Sequence, residues 1–433
     1  MLWGSTYVFG VAQAARPTAD CKLKTNRQEY PSTSHCRPAA LAGILAAFHF
    51  LIVVEHVASM NSNPNTTVAV GLSGGVDSSV AAHLLQREGY RVIGLTMQIW
   101  DGTLPIPDEG RSGCYGPGEA RDIEAARTLA QRLGIPHHVI SLAPEYTSEV
   151  LGYFRKEYSA GRTPNPCVRC NRSMKFGLLL ERARAQGIAF DLFATGHYAR
   201  VEPDPVTGRQ VLLRAVDRAK DQSYFLSRLS QDQLRQVRFP LGRLTKPEVK
   251  AMAREIGWSD VADKQESQNF IESKHYGVLF EEREQTPGPI VDTQGTVLGQ
   301  HRGIVHYTIG QRKGLGLGGT ADPLYVVRID ACSNTVVVGP HNGLFLSRLT
   351  AADLNWIALP AGPRTPLVIQ AKIRQQHQEA EARLCLLPEK DGSAEVVFAE
   401  PQMAVTPGQT VVFYDQDRVL GSGIIEDTNS SSP

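Results

Sequence analysis

The residues best suited to chemistry in this sequence form the string SGGVDSS, residues 73–79. It follows an apolar run, residues 67–72, and precedes an amphipathic one, so it connects a buried strand to the start of a helix. Backbone N–H groups at a helix N-terminus bind anions, and adjacent glycines let that backbone approach a phosphate. Ser73, Ser78 and Ser79 add hydroxyl donors. The string therefore predicts a phosphate-binding loop.

The acidic residue of this loop, Asp77, fits two roles. It suits the N-cap of the following helix, and its carboxylate suits Mg²⁺. The loop lacks the Lys of a Walker motif, and a Gly-Gly turn before a helix is usually only a tight connection. The full string favours a nucleotide phosphate site over a plain turn.

A second reactive feature is the pair Cys167 and Cys170 in the string GRTPNPCVRCN. A cysteine is most often a small buried apolar residue, but this pair falls in a proline-rich polar segment that we interpret as a loop. Arg169 and Arg172 flank Cys170, and a helix is predicted to begin near Ser173. Cations and helix N-termini lower the pKa of a thiol, so the pattern favours Cys170 as a nucleophile.

Length and composition set the frame for these sites. A chain of 433 residues suits two or three domains. Lys and Arg total 45 against 44 for Asp and Glu, so contact with a nucleic acid must come from local basic patches. The seven cysteines are an odd number scattered over a long chain, which favours a reducing compartment, and we expect a cytoplasmic protein.

The first part of the chain, residues 1–59, lacks the pattern of the rest. Its apolar run, residues 41–54, is shorter than the ~20 residues of a membrane span, so no membrane partner is expected. A signal peptide or an organellar transit peptide would fit in outline. The favoured interpretation is that Met60 is the true start and that residues 1–59 are an extension with no assigned function.

The elements that must position these residues follow from periodicity. From residue 66 short apolar runs alternate with amphipathic ones, which predicts an α/β domain with a doubly wound parallel sheet at residues 60–236. Residues 237–348 are predicted to be a mainly helical or mixed central domain. Short strands separated by turns then predict an antiparallel β-barrel at residues 349–428.

The string SGGVDSS resembles the PP-loop of ATP pyrophosphatases, which cleave ATP between the α and β phosphates. Together with GRTPNPCVRCN, ATGHY, KDQSYFL, HYTIGQRKGLGLGG and TPGQ, it makes residues 67–426 similar to the tRNA-specific 2-thiouridylase (MnmA) family. The resemblance implies adenylation of the C2 oxygen of a wobble uridine by ATP with Mg²⁺. Sulfur from a cysteine persulfide then replaces that oxygen, and AMP and pyrophosphate leave. The implied partners are the anticodon stem-loop of tRNA and a sulfur-donor protein.

The resemblance also assigns residues. Cys170 is the implied nucleophile. The implied ATP contacts are Gly71, Leu72, Ser73, Gly74, Gly75, Val76, Asp77, Ser78, Met97 and Gly196. The implied tRNA contacts are His197, Lys220, Asp221, Gln222, Arg374, Gln375 and Gln409. Taken singly, Lys220 and Asp221 are better explained as an exposed turn, Gln409 as a plain loop residue and Arg374 as an exposed strand residue.

The sequence departs from the family at the second catalytic cysteine. Most relatives carry it in a string like DSQ-x-I-C-F, and the corresponding string here, ESQNFIES, has Ile271 at that position. In compensation, Cys167 stands where some relatives have Asp. Cys167 and Cys170 are then expected to form a redox pair that closes a disulfide. An iron-sulfur cluster on both and Cys114 is the second alternative, and zinc the last.

Two other functions stay open from the sequence. One is an amide-forming PP-loop ligase for a small molecule, which would have no clear use for the barrel or the cysteine segment. The other is a non-catalytic RNA-binding protein that has lost its second cysteine. The intact SGGVDSS string and Cys170 favour an enzyme over the latter.

Overall fold

The structure is a computed structural model that describes residues 65–108, 113–264, 269–273, 276–318, 322–390 and 392–428, without the side chains of residues 283 and 427. The extension at residues 1–59, and the first three residues of ESQNFIES, lie outside the described residues.

Five parallel strands form the sheet of the first domain, in the order β4-β2-β1-β5-β8. They are β1 (Thr67–Gly71), β2 (Arg91–Gln98), β4 (His137–Ser141), β5 (Leu192–Ala194) and β8 (Val237–Arg238). Both neighbours of the central strand β1 run parallel to it. Its residues Val68, Ala69 and Val70 are fully buried, which explains why that run has no polar alternation. The parallel sheet predicted from the apolar runs is confirmed.

Helices cover both faces of this sheet. They are α1 (Val76–Arg87), α2 (Glu119–Leu133), α3 (Ala143–Tyr146), α4 (Tyr153–Ser159), α5 (Pro166–Arg169), α6 (Leu179–Ala185), α7 (Ser223–Leu226) and α8 (Gln231–Gln236). π-helical segments join α3 to α4 at Thr147–Gly152 and α5 to α6 at Cys170–Leu178. Helix α2 ends at Gly134, whose φ of 65° is left-handed.

The central part of the chain is mixed. Helices α9 (Lys246–Glu255) and α10 (Ser259–Ala262) are followed by short 3₁₀ turns and a four-stranded sheet in the order β11-β10-β13-β12. Its strands are β10 (Gly288–Val291), β11 (Val297–His301), β12 (Tyr325–Asp330) and β13 (Thr335–Gly339). The last two form a hairpin around the turn ACSN, residues 331–334.

A small parallel pair links distant parts of the chain. Strand β3 (Gly113–Tyr115) pairs with β9 (Asn269–Ile271), with Gly113 opposite Asn269 and Tyr115 opposite Ile271. Neither strand was predicted, because three residues are too few to show a period.

The C-terminal strands close into an antiparallel barrel, as predicted. In the order β14-β17-β16-β15-β18-β19 each strand pairs with the next, and β19 pairs back with β14. The strands are β14 (Phe345–Trp356), β15 (Leu367–Lys372), β16 (Ala380–Leu386), β17 (Ala394–Met403), β18 (Thr410–Asp415) and β19 (Arg418–Asp427). The hairpin of β6 (Ala199–Pro203) and β7 (Gln210–Arg214) extends this sheet from β19.

The predicted fold class is therefore confirmed, while the residue limits of the three domains stay a prediction. None of the helices in the described part of the chain is long and apolar enough to cross a membrane.

Candidate active site

The loop between β1 and α1 is shaped to receive an anion. Gly75 is the N-cap of α1 and no side chain caps the helix, so N–H groups of its first turn face outward from the loop. A Cβ on Gly75 would meet only Ser73 Oγ, at 3.6 Å, so the protein itself leaves room there. Gly74 has a φ of 70°, and a Cβ on it would lie 2.8 Å from Ala125 Cβ. The two glycines thus serve different purposes. Gly74 lets the loop pack closely against Ala125 of α2, and Gly75 leaves the phosphate-facing side of the loop free of a side chain.

The serine hydroxyls hold the loop in shape. Ser78 Oγ donates to the carbonyl of Gly75 at 3.1 Å, and Ser79 Oγ donates to the same oxygen at 2.8 Å. The backbone N–H of Ser73 donates to Ser78 Oγ at 3.3 Å. Ser73 is exposed, whereas Ser78 and Ser79 are buried. Ser73 is therefore the serine best placed to add a hydroxyl donor to a phosphate.

Asp77 does not cap the helix, so that part of the prediction is wrong. The N-cap position belongs to Gly75, and Asp77 is the second residue of α1. Its Oδ1 and Oδ2 accept hydrogen bonds from Lys246 Nζ at 2.7 and 2.8 Å, and Oδ1 also accepts one from the Tyr198 hydroxyl at 2.9 Å. Both oxygens are thus engaged by the protein. The loop carboxylate is not a prepared Mg²⁺ ligand, and we assign no step to the ion.

The other residues predicted to contact ATP gather at the carboxyl ends of β1, β2 and β5, where doubly wound folds bind ligands. Gly71 ends β1, Met97 is the penultimate residue of β2, and Gly196 follows β5. A Cβ on Gly196 would lie 2.6 Å from the carbonyl carbon of Asp77, so the end of β5 packs directly on the first turn of α1. The side chains of Leu72 and Val76 are buried, so only their backbone can face a nucleotide.

The cysteine pair lies on a helix and not in the predicted loop. The Asn165 side chain caps α5 by accepting a hydrogen bond from the Val168 N–H at 3.2 Å, and Pro166 is the first helical residue. Helical structure then continues through Cys170 to the end of α6. Cys167 and Cys170 are thus three positions apart on one face of the first turns.

The arginines beside Cys170 do not activate it as expected. Arg169 Nη2 donates to Glu149 Oε2 at 2.6 Å, and Arg172 Nη1 lies 3.9 Å from Asp353 Oδ2. Burial raises the pKa of Cys170 to about 11, and the cation that opposes this shift is Lys175. Burial also raises the pKa of Cys167 to about 12, followed by repulsion from the Cys114 and Cys170 thiolates.

Cys114 belongs to the same site. Burial raises the pKa of Cys114, and the charge of Lys175 opposes this rise only in part. Lys175 opposes the rise in the pKa of Cys167 and Cys170 in the same way. The buried hydroxyl of Tyr146 has its pKa raised by burial first and then by negative charge on each of the three thiols. The three thiols therefore act electrostatically on Tyr146, whose ring stacks on that of Tyr115, the neighbour of Cys114, at 5.3 Å.

His197 lies between the phosphate loop and the thiols. It follows Gly196, and its ring lies 5.9 Å from the ring of Phe176 on the cysteine helix. Its Nδ1 is 2.7 Å from Thr195 Oγ1. Burial, then Lys175, holds the pKa of His197 well below its usual range, so the ring is neutral. Lys175 is the functional residue that the sequence did not single out, since a lysine in an amphipathic helix gives no signal of its own.

Several predicted tRNA contacts hold the protein together in this structure. Asp221 is buried and accepts hydrogen bonds from the backbone N–H groups of Ala215 at 3.0 Å and Ser223 at 3.2 Å. Gln222 Oε1 accepts from the Tyr198 N–H at 2.9 Å. Lys220, next to them, is half-buried. Asp221 therefore does not lie in an exposed turn. Its buried side chain closes the turn through these hydrogen bonds.

The barrel residues in this group dock the barrel on the first domain. Gln375 Nε2 donates to the carbonyl of Asp221 at 3.1 Å, and Gln409 Nε2 donates to that of Thr163 at 3.0 Å. Arg374 Nη1 donates to the carbonyl of Met403 within the barrel at 3.0 Å. Among the described residues, no donor reaches the buried Gln375 Oε1. These residues lie beside the cysteine helix, but their assignment to tRNA stays a prediction.

An arginine-lined cavity of about 180 Å³ separates the cysteine helix from the barrel. Its charged lining includes Arg162, Arg169, Arg172, Arg228, Asp353 and Glu426. Arg228 is buried, and its Nη1 donates to the Asp353 carbonyl at 2.7 Å. The sequence did not indicate this cavity, because its residues come from segments far apart in the chain.

The cysteines are not arranged as metal ligands. In the described residues no group of three His, Cys, Asp or Glu side chains is placed to hold a metal ion. The described thiols Cys114, Cys167, Cys170, Cys332 and Cys385 are all free. The present geometry does not fit an iron-sulfur cluster, so no step is assigned to one.

An uncapped, glycine-lined helix start at the edge of a parallel sheet, with free thiols at the same edge, defines a PP-loop nucleotide-binding protein with thiol chemistry. Family profiles agree along the chain. They are described as a tRNA methyl transferase HUP domain at residues 66–272, a tRNA methyl transferase PRC-barrel domain at 277–340 and an aminomethyltransferase beta-barrel domain at 346–425.

Full-length relatives identify the family. A tRNA-specific 2-thiouridylase MnmA from Endomicrobium trichonymphae is 48% identical over 360 residues, which cover 83% of this chain and 98% of that protein. One from Acetivibrio thermocellus is 47% identical over 364 residues, covering 83% and 99%. This chain belongs to the tRNA-specific 2-thiouridylase family. A solved 4-thiouridine synthetase in complex with RNA and ATP is more distant, at 19% identity and a TM-score of 0.32 over 47% of this chain and 44% of that one.

Proposed function

We propose that this protein is a tRNA-uridine 2-sulfurtransferase that uses ATP to replace the C2 oxygen of a wobble uridine by sulfur. The observation that carries the proposal is the position of His197 and Lys175. His197 follows Gly196, which packs on the first turn of the phosphate-loop helix, and its ring lies 5.9 Å from that of Phe176 on the cysteine helix. The charge of Lys175 acts on both His197 and the Cys170 thiol, so the two halves of the site adjoin. Membership of the family supplies the substrate, and we expect the reaction to occur in the cytoplasm.

The chemistry explains why both halves of the site are needed. A uracil carbonyl oxygen is a poor leaving group, but once it carries the adenylyl group of ATP it departs as AMP. In the first step the C2 oxygen attacks the α-phosphorus and pyrophosphate leaves. The N–H groups at the start of α1, with Gly75 leaving space, hold the phosphates during this step. Mg²⁺ carried by the nucleotide would offset phosphate charge, and we assign no residue of this chain to it.

The second step uses the thiols. A persulfide on Cys170 attacks C2 with its outer sulfur, AMP leaves, and a Cys170–S–S–C2 linkage forms. The Cys167 thiolate then attacks the Cys170 sulfur, which releases 2-thiouridine and leaves a Cys167–Cys170 disulfide. A dithiol reductant restores both thiols between rounds. Lys175 favours the thiolate form against the effect of burial.

A wobble base lies in a single-stranded loop and can be turned out toward a protein site. We propose that the segment with Lys220, Asp221 and Gln222, and the barrel residues Arg374, Gln375 and Gln409, bind the anticodon stem-loop beside the cysteine helix. His197 would contact the base from the nucleotide side. The docking of the barrel next to Thr163, close to Cys167 in the chain, supports this arrangement.

The proposal is tested in cells that lack the gene. Nucleoside mass spectrometry of their tRNA is expected to show loss of 2-thiouridine derivatives, with recovery when the wild-type gene returns and none with Cys170→Ser. Cys385→Ser, a half-buried thiol on β16 of the barrel, is the matched control and is expected to restore them. An unchanged 2-thiouridine content in the deletion strain would rule out this function.

A further inference from the structure

Two arginines of the cavity between the cysteine helix and the barrel share one counterion. Arg228 Nη2 lies 2.6 Å from Asp353 Oδ2, and Arg172 Nη1 lies 3.9 Å from the same oxygen. Among the described residues, no other carboxylate pairs with either arginine. The remaining arginines of the cavity have carboxylates of their own, Glu157 and Glu426 for Arg162 and Glu149 for Arg169. Arg172 and Arg228 thus place two positive charges around a single negative one.

Arg228 is a buried cation with a donor that its counterion does not satisfy. Its side chain is 5% exposed, and its Nη1 donates to the carbonyl of Asp353 at 2.7 Å. Its Nη2 is buried as well, yet it makes no aligned hydrogen bond within the part of the chain that the structure describes, although Asp353 Oδ2 is close. A buried N–H without an acceptor is unfavourable. The arginine is therefore suited to an anion other than Asp353.

The backbone that carries Arg228 is fixed, whereas the carboxylate is not. The Asn355 side chain donates to the carbonyls of Ser227 at 2.9 Å and Leu229 at 3.1 Å, on either side of the arginine. Asp353 is 66% exposed, has a left-handed φ of 47°, and lies where the pairing of β14 with β19 shifts register. Its carboxylate can turn into solvent without uncovering the core, while Arg228 stays in place.

The anion that suits this pair of arginines is a phosphate group, because guanidinium groups and phosphate oxygens match in charge and geometry. The proposed reaction offers two sources of phosphate, the RNA backbone and pyrophosphate. Arg169 and Arg172 of the cysteine helix line the cavity, while Cys167 and Cys170 of that helix pack against the core of the first domain. A helix is about 10 Å across, so RNA whose wobble base reaches the thiols has a neighbouring phosphate within reach of the cavity. This position favours the RNA backbone.

Resting on the proposed function, we propose that Arg172 and Arg228 bind a backbone phosphate next to the wobble nucleotide of the tRNA. Asp353 occupies this phosphate site in the free protein. The phosphate displaces the carboxylate, which turns into solvent, and both guanidinium groups then face the phosphate oxygens. Because its negative charge lies beside the incoming phosphate, Asp353 weakens the binding of RNA.

The test measures binding of an unmodified tRNA transcript by filter retention at several salt concentrations, without ATP. Arg228→Met and Arg172→Met are each expected to weaken binding by about tenfold. Each should also lower the slope of log affinity against log salt by about one, the value for one lost phosphate contact. Asp353→Asn removes the charge and keeps a side chain that tolerates the left-handed backbone, so it is expected to tighten binding by about threefold or more.

Matched controls come from an exposed ion pair between α2 and α10. Arg132→Met and Asp260→Asn remove the same charges there, and both are expected to bind tRNA as wild type does. Thermal melting shows which variants are folded. Arg172 is 41% exposed, so its variant carries the test if Arg228→Met does not fold.

The outcomes separate this inference from the proposed function. If wild type binds no tRNA, the proposed function fails, and the phosphate site with it. If wild type binds tRNA but folded Arg172→Met has the same affinity and salt slope, or Asp353→Asn binds no more tightly, the phosphate site is overturned while the proposed function stands. The site is also overturned if Arg172→Met weakens the retention of labelled pyrophosphate and not that of tRNA.

Discussion

Lys246 Nζ lies 2.7 Å from Asp77 Oδ1 and 2.8 Å from Oδ2, and so joins the first turn of the phosphate-loop helix to the start of α9. The Lys246 side chain is 8% exposed and that of Asp77 29% exposed. A carboxylate beside a phosphate site would repel the nucleotide if it were left unpaired. The lysine therefore neutralises a charge that would otherwise oppose ATP.

Lys246→Met is expected to lower the free energy of unfolding by about 2 kcal/mol, less than for a fully buried pair because Asp77 is partly exposed. ATP-dependent AMP formation should fall as well. Urea unfolding and an AMP assay measure the two effects. Arg254, also on α9, forms an exposed ion pair with Asp263 at the end of α10. Arg254→Ala serves as the control and is expected to be within about 0.5 kcal/mol of wild type. Equal stability of Lys246→Met and wild type would refute the role of the pair.

Gly75→Val is expected to abolish AMP formation in a folded protein. The added side chain has room with respect to the protein, since its Cβ meets only Ser73 Oγ at 3.6 Å, but it occupies the mouth where a phosphate must approach. Gly196→Ala is the contrasting variant. Its Cβ would lie 2.6 Å from Asp77 backbone, so it should lower thermal stability. Normal ATP turnover by folded Gly75→Val would remove the phosphate-loop interpretation.

Alkylation of Cys170 by iodoacetamide is expected to accelerate by about tenfold per pH unit from pH 7 to pH 9. Its pKa of about 11 lies above this range, so the thiolate fraction rises steadily with pH. Lys175→Met removes the cation that lowers this pKa and should slow alkylation at every pH in the range. Lys156→Met, an exposed lysine on α4, is the control. A plateau of the rate below pH 8 would mean that Cys170 is an acidic thiol, contrary to this site.

A chain that begins at Met60 is expected to keep full thiolation activity, because every element of the described site lies after that residue. Comparing its activity and solubility with those of the full chain is the measurement. Loss of activity on removing residues 1–59 would show that the extension contributes to the enzyme.

The sequence predicted the parts of the site that depend on local pattern. The apolar run of β1 and the Gly-Gly turn after it are each specified by neighbouring residues. The start of the cysteine helix was wrongly placed, although Asn165 followed by Pro166 is a typical helix-start signal. The prolines of that segment favoured a loop, and the capping role of Asn165 outweighed them.

The rest of the site depends on contacts that no local pattern encodes. Lys246 and Asp77 are separated by 169 residues, and Gly118 and Glu272 by 154. Such pairs form only when whole elements pack. Likewise, the flanking arginines predicted a lowered pKa for Cys170, but they bind acidic residues elsewhere, and burial determines the outcome.

The most direct test of the account is to incubate the purified protein with unmodified tRNA, ATP, Mg²⁺ and glutathione persulfide, and to measure AMP and 2-thiouridine together. The account predicts that wild type forms the two in equal amounts, that Gly75→Val forms neither, and that Cys170→Ser forms no 2-thiouridine although it can still adenylate tRNA. The account is contradicted if Cys170→Ser forms 2-thiouridine. It is also contradicted if wild type forms none and instead releases AMP only when a small-molecule substrate is supplied.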